Sequence, residues 1–147
     1  SGFANPKMGQ WIDRAIDADL AIKGAIDATK PYRDGSRLVE AEGGTYLRPT
    51  VVHCDSMDHP LANREFLCPY ASVVQIPQSE MLGSIGPTLV VTAITKDKDF
   101  QRKLLGASNV ERLNLGPIST MKISWDQPHE GNMFEFLYKR RSIGMAA

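Results

Sequence analysis

The sequence predicts an α/β fold, a mainly parallel sheet flanked by helices. Three observations carry that expectation. Apolar residues recur at helical spacing after Asn5-Pro6. Short runs rich in Val, Ile and Thr come next, bounded by Gly and Pro, as in Thr50-Val51-Val52-His53-Cys54 and Val73-Val74-Gln75-Ile76-Pro77. From residue 88 to residue 115 the pattern reads strand, helix, strand, a βαβ unit that is normally parallel and right-handed.

Each element has its own signal. Asn5 can cap a helix and Pro6 suits its first position. Met8, Ile12, Ala15, Ile16, Leu20, Ile22 and Ile26 extend the helical period to about Thr29, with Pro31 and Asp34-Gly35 as the stop. Residues 36–42 read as a short strand, Gly43-Gly44 as a turn and residues 50–54 as a second strand, the two forming a hairpin. Residues 55–61 make a polar loop. Pro69 fixes φ and lacks a donor, so it belongs where a strand begins; the run after it ends at Pro77. Residues 79–82 suit one helical turn. Thr88-Leu89-Val90-Val91-Thr92-Ala93-Ile94-Thr95 is apolar on both faces, as in a central covered strand. Residues 97–105 read as a helix and residues 110–115 as a strand stopped by Gly116-Pro117.

Composition narrows the classes. The chain has 147 residues, which fits one domain (1–147) with a real core. Its 42% hydrophobic and 23% charged content is globular. Lys plus Arg and Asp plus Glu both total 17, so no basic surplus points to nucleic acid or an anionic membrane. No apolar run reaches roughly 18 residues, and no basic-then-apolar signal pattern opens the chain. The chain opens on Ser1-Gly2 rather than Met, so its natural start is not fixed. Cys54 and Cys68 do not make a disulfide framework; two half-buried thiols imply a reducing, cytoplasmic setting. A zinc site on Cys54, His53 and His59 would need a tight ligand pair plus a second pair, and none is evident.

Two motifs carry a resemblance. Glu65-Phe66-Leu67-Cys68-Pro69 resembles the Glu-x-Phe-Gly-Pro motif of the NAD(P)-dependent aldehyde dehydrogenase superfamily. Upstream, Gly43-Gly44-Thr45-Tyr46-Leu47-Arg48-Pro49-Thr50-Val51-Val52 resembles that family's Gly-Gly and aromatic-x-x-Pro-Thr-Val run, in the right order and at a suitable distance. The match covers most of the chain but only the C-terminal part of the family's catalytic domain. The resemblance implies a portion of an oxidoreductase that converts an aldehyde to a carboxylic acid with NAD or NADP. The nucleophilic Cys, the general base and most of the nucleotide-binding domain would lie N-terminal to it, so the chain alone would be inactive and would bind no cofactor of its own.

The resemblance assigns roles residue by residue. Glu65 would accept hydrogen bonds from the nicotinamide-side ribose, a task for an acceptor-only carboxylate; the alternative is a surface Glu paired with Arg64 or a Lys. Leu67 would stand where the family sets a Phe against the nicotinamide. Cys68 replaces the motif Gly and reads as a small buried substitute rather than a nucleophile. Asn114 takes the place of an Asn just past a strand, where it could lie near substrate or tie a loop. The chain also departs from the family. The segment after residue 77 is shortened, and Ser124-Trp125-Asp126-Gln127-Pro128-His129-Glu130-Gly131-Asn132 replaces the Pro-Phe-Gly-Gly and Ser-Gly stretches, so the aldehyde is left open. Residues 134–147 would supply an oligomerisation strand, centred on residues 138–145. The implied partners are a second copy or the missing N-terminal part of the enzyme. Two other readings remain: a non-catalytic module that binds a partner or itself, and an unrelated α/β enzyme using Cys68 and His129.

Overall fold

The computed structural model describes residues 2–122 and 142–146, which fall into two compact units, Ser1–Ile76 and Pro77–Ala147. The fold is mixed α/β, but no single mainly parallel sheet forms among the described residues. Three small sheets do, and only one of them is parallel throughout.

The first unit begins with helix α1 (Pro6–Leu20). Asn5 Oδ1 accepts from the Lys7 amide at 3.0 Å, and Pro6 occupies the first turn, where its missing N–H costs nothing. Ile12 and Ile16 form the buried stripe. The helix stops at Leu20, nine residues short of the expected Thr29. Gly24 takes φ 107°, a left-handed conformation open to glycine, and Ala25–Asp27 becomes strand β1. Ile26 kept the helical spacing by coincidence; in β1 it is the outward residue, 64% exposed.

Strands β2 (Leu38–Ala41) and β3 (Gly44–Leu47) form a hairpin of their own, with Ala41 opposite Gly44. The two turn residues, Glu42 and Gly43, have φ 49° and 77°, the signature of a type I′ turn, whose twist matches its flanking strands. The expected pairing of residues 36–42 with residues 50–54 does not occur. Residues 44–47 already fill the partner position, and Pro49 separates them from the next strand. That strand, β4 (Thr50–Cys54), instead lies between β1, antiparallel, and β5 (Tyr70–Val74), parallel. Its Val52 and Cys54 sit in the core with Ile12, Ile16, Leu47, Leu61 and Phe66.

The second unit holds α2 (Gln78–Ser84), β6 (Thr88–Ala93), α3 (Lys98–Gly106), β7 (Val110–Leu115) and β8 (Ser142–Met145). Asp97 caps α3 by accepting from the Asp99 and Phe100 amides. All three strands run parallel in the order β6-β7-β8, so the expected parallel βαβ unit is present. The expected central strand is misplaced, however. Among the described residues β6 lies at the edge with Leu89 53% exposed, and β7 is the middle strand, with Leu113 and Leu115 buried against Ala93 and Leu104. Residues 142–145 of the anticipated oligomerisation strand pair with β7 of the same chain; residues 138–141 lie outside the described residues. No described helix is long and apolar enough to cross a membrane.

Candidate functional site

The segment from His59 to β5 is held at both ends and open in the middle. His59 Nδ1 accepts from the Leu61 amide at 3.2 Å, and its Nε2 lies 3.3 Å from the Ile22 carbonyl. That pattern fits a neutral imidazole carrying its proton on Nε2. It opens the single turn Pro60–Asn63, which Tyr70 and Ser72 tie to β5: the Tyr70 hydroxyl donates to Leu61 O at 2.8 Å and Ser72 Oγ to Ala62 O at 3.0 Å. Burial is the main cause that pushes the Tyr70 hydroxyl pKa up to about 12. The hydroxyl is therefore a standing donor at neutral pH.

Phe66 is the anchor of the motif. It is buried, meets Tyr70 edge-on with centroids 5.0 Å apart, and carries the Arg64 guanidinium 5.9 Å above its ring. Arg64 also pairs with Asp19 at 3.0 Å. Arg64 is thus committed elsewhere, and Glu65 is exposed with no hydrogen bond or ion pair among the described residues. Leu67, on the other side of the anchor, is 82% exposed. A buried Phe between two outward neighbours displays a bare carboxylate and a bare apolar side chain from one short, fixed bend.

The cysteines are placed differently. Cys68 is half-buried against the core. Burial raises its thiol pKa, and the opposing charge of Arg37 does not reverse the shift. A thiol held in its protonated form is a poor nucleophile at neutral pH. Cys54 is fully buried, its thiol also raised by burial and by Asp55, with Sγ 3.9 Å from His59 Nδ1. His53 faces Asp55 at 3.7 Å. Among the described residues no group of three or more His, Cys, Asp or Glu is arranged to hold a metal. Asn114, in the second unit, is buried; its Nδ2 donates to Thr92 Oγ1 at 3.2 Å, and Thr92 Oγ1 donates to the Ile118 carbonyl at 3.3 Å. That chain of bonds ties a loop to the sheet. His129 lies outside the described residues.

Sequence reasoning missed a buried ionic network in the first unit. Asp27, its side chain 3% exposed, accepts through Oδ1 from Thr29 N, Thr29 Oγ1 and Lys30 N, and through Oδ2 from Arg33 and Arg37. Arg37 also reaches Asp13 at 2.8 Å and Asp17 at 3.1 Å, joining β1 and the turn after it to α1. The one local signal was Asp27 two residues before Thr29, an Asx-turn spacing. Two open clefts of about 390 and 330 Å³ flank the β2–β3 hairpin; neither is lined by Glu65 or Leu67. No family model, curated protein or solved structure matches the chain.

Proposed function

We propose that the chain is the C-terminal portion of an NAD(P)-dependent aldehyde dehydrogenase-like oxidoreductase, which Glu65 serves by accepting ribose hydroxyls and Leu67 by meeting the nicotinamide. One observation supports this above the others. Glu65 stands exposed and unpartnered among the described residues, beside exposed Leu67, on a bend anchored by Phe66. A carboxylate left bare on an anchored segment is poised to accept from a ligand. An exposed leucine beside it offers the apolar contact that a flat heterocycle needs.

On this reading the chain alone is not catalytic. Aldehyde oxidation requires a thiolate, an oxyanion site, a base and a bound nicotinamide together. The raised thiols of Cys54 and Cys68 supply no ready nucleophile. One charged hydrogen bond contributes roughly 1.5–3 kcal/mol, against the roughly 8 kcal/mol that micromolar binding represents. NAD should therefore bind in the millimolar range at best.

Amide NMR spectra during NAD titration test the reading. Shifts should centre on Glu65 and Leu67, stay short of saturation at millimolar NAD, and vanish in Glu65→Ala. Glu65→Ala should leave thermal stability unchanged, since the side chain makes no hydrogen bond or ion pair among the described residues. Shifts centred elsewhere, or none, would remove the cofactor assignment. Micromolar binding would contradict the fragment reading. A second reading, a non-catalytic module that associates with itself, is favoured by one feature of the first unit, the edge of β5, which has no further strand partner among the described residues.

A further inference from the structure

Strand β5 ends the sheet β1-β4-β5, and the hydrogen-bond register shows what that edge presents. Thr50 N donates to Pro69 O at 2.9 Å, and Thr50 lies opposite Tyr70. In a parallel ladder this phase directs the N–H and C=O of Ala71 and Val73 toward β4. The same groups of Tyr70, Ser72 and Val74 point away from the sheet, and none has a backbone partner among the described residues.

Edges of this kind are normally blunted by Lys, Pro or a bulge within the strand. None of these is found in Tyr70-Ala71-Ser72-Val73-Val74, and no charged residue occurs from Leu67 to Ser79. The outward face of the sheet is also apolar at its edges, with His53 between them. Ile26, His53 and Val73 lie in one row across its three strands, with Val51 and Ala71 in the next. Ile26 and Val73 are 64% and 50% exposed.

We propose that this edge is a dimerisation edge, on which a second copy of the chain adds its own β5 antiparallel about a two-fold axis through Ser72. The register is self-consistent. An antiparallel pair needs hydrogen-bonded positions at every second residue. The outward groups of Tyr70, Ser72 and Val74 supply them: Tyr70 of one copy pairs with Val74 of the other, Ser72 with Ser72, and Val74 with Tyr70. Ala71 and Val73 then fall on the non-hydrogen-bonded positions, where side chains approach closest, and join the two outward rows. A two-fold contact sets each strand against its own sequence. A charge near its centre would face its like, and this strand has none. Only the edge of β5 takes part, so the dimer stands independently of the nicotinamide assignment.

Light scattering of the intact chain, from micromolar to submillimolar concentration, tests it. The wild type should dimerise reversibly. Ser72→Pro removes an outward N–H without removing a donor from the ladder to β4, and it also loses the Ser72 Oγ bond to Ala62 O. Val73→Lys puts a charge on each copy beside the new seam. Each should weaken the dimer at least about tenfold, with circular dichroism unchanged. Ile26→Lys, a change at a still more exposed position on the far strand, should leave it intact. If Ser72→Pro does not fold, Val73→Lys decides. A monomeric wild type at submillimolar concentration overturns the proposal. So does a dimer indifferent to the folded β5 variants, or one weakened as much by Ile26→Lys, since contact would then lie on the sheet face.

Discussion

Asp27→Ala should be among the most damaging single changes in the first unit. Its carboxylate is the one described acid that pairs with Arg33, and it also serves Arg37 and three donors of the turn at Thr29 and Lys30. Arg37 retains Asp13 and Asp17 after the change; Arg33 retains only Thr29 and Thr50 hydroxyls and a long bond to Pro49 O. Removing one partner of a buried ion pair leaves an uncompensated charge and costs about 3–5 kcal/mol. Urea unfolding followed by far-UV circular dichroism at pH 7 should show a loss of that size. Removing the stranded charge as well should restore part of it, so Asp27→Ala with Arg33→Met should be more stable than Asp27→Ala alone. The pH dependence has a definite sign. Burial alone would raise the Asp27 pKa, but bonds from Thr29 and Arg33 and the Arg33 charge outweigh it and hold the carboxyl below its ordinary value of 3.8. Its stabilisation is thus fully present above about pH 5 and is lost as pH falls through 3.8 toward the folded-state pKa. Asp27→Ala should lack that acid-labile component. A loss under about 1 kcal/mol, or a double variant weaker than the single one, would refute the argument, since surface ion pairs rarely exceed that value.

Burial sets two more outcomes. Leu113 is fully buried on the middle strand of the parallel sheet, so Leu113→Ala should cost about 2–5 kcal/mol in the same urea assay. Cys54 and Cys68 should react slowly with a thiol reagent at pH 7 and quickly in urea, with Cys54 the slower because it is fully buried. Fast native labelling of Cys68 would reopen the nucleophile reading.

Elements with a complete local signal were legible. Asn5-Pro6 marks the start of α1 by its own chemistry, Pro69 marks the start of β5, and Asp97 caps α3; each lies where its side chain bonds or fails to bond the backbone. Elements defined by a distant partner were not. β1 is three residues long, too short for alternation to show, and exists because β4 supplies its ladder. Ile22 and Ile26 are four residues apart, a spacing that a helix shares with alternate positions of a strand. The rank of strands failed for a related reason. The run at β6 is the more β-branched, but position in a sheet depends on how many partners arrive. β7 receives β6 on one side and β8 on the other, although β8 is a distant stretch of the sequence, Ser142–Met145.

The candidate site divides along the same line. The position of Glu65 and Leu67 on the bend before β5 was legible, because Pro69 fixes where that strand starts. What leaves Glu65 bare was not, since it depends on Arg64 being drawn to Asp19 on α1, a pairing across 45 positions of sequence. The same helix contributes Asp13 and Asp17 to Arg37. α1 therefore bears on the motif through Asp19, which holds Arg64, the basic sequence neighbour of Glu65. Asp19→Ala should release Arg64, allow it to pair with Glu65, and weaken any millimolar NAD contact at Glu65 while leaving the motif sequence untouched. Amide shifts during NAD titration of this variant read the effect directly, and an unchanged NAD response in Asp19→Ala would show that Arg64 does not compete for the carboxylate.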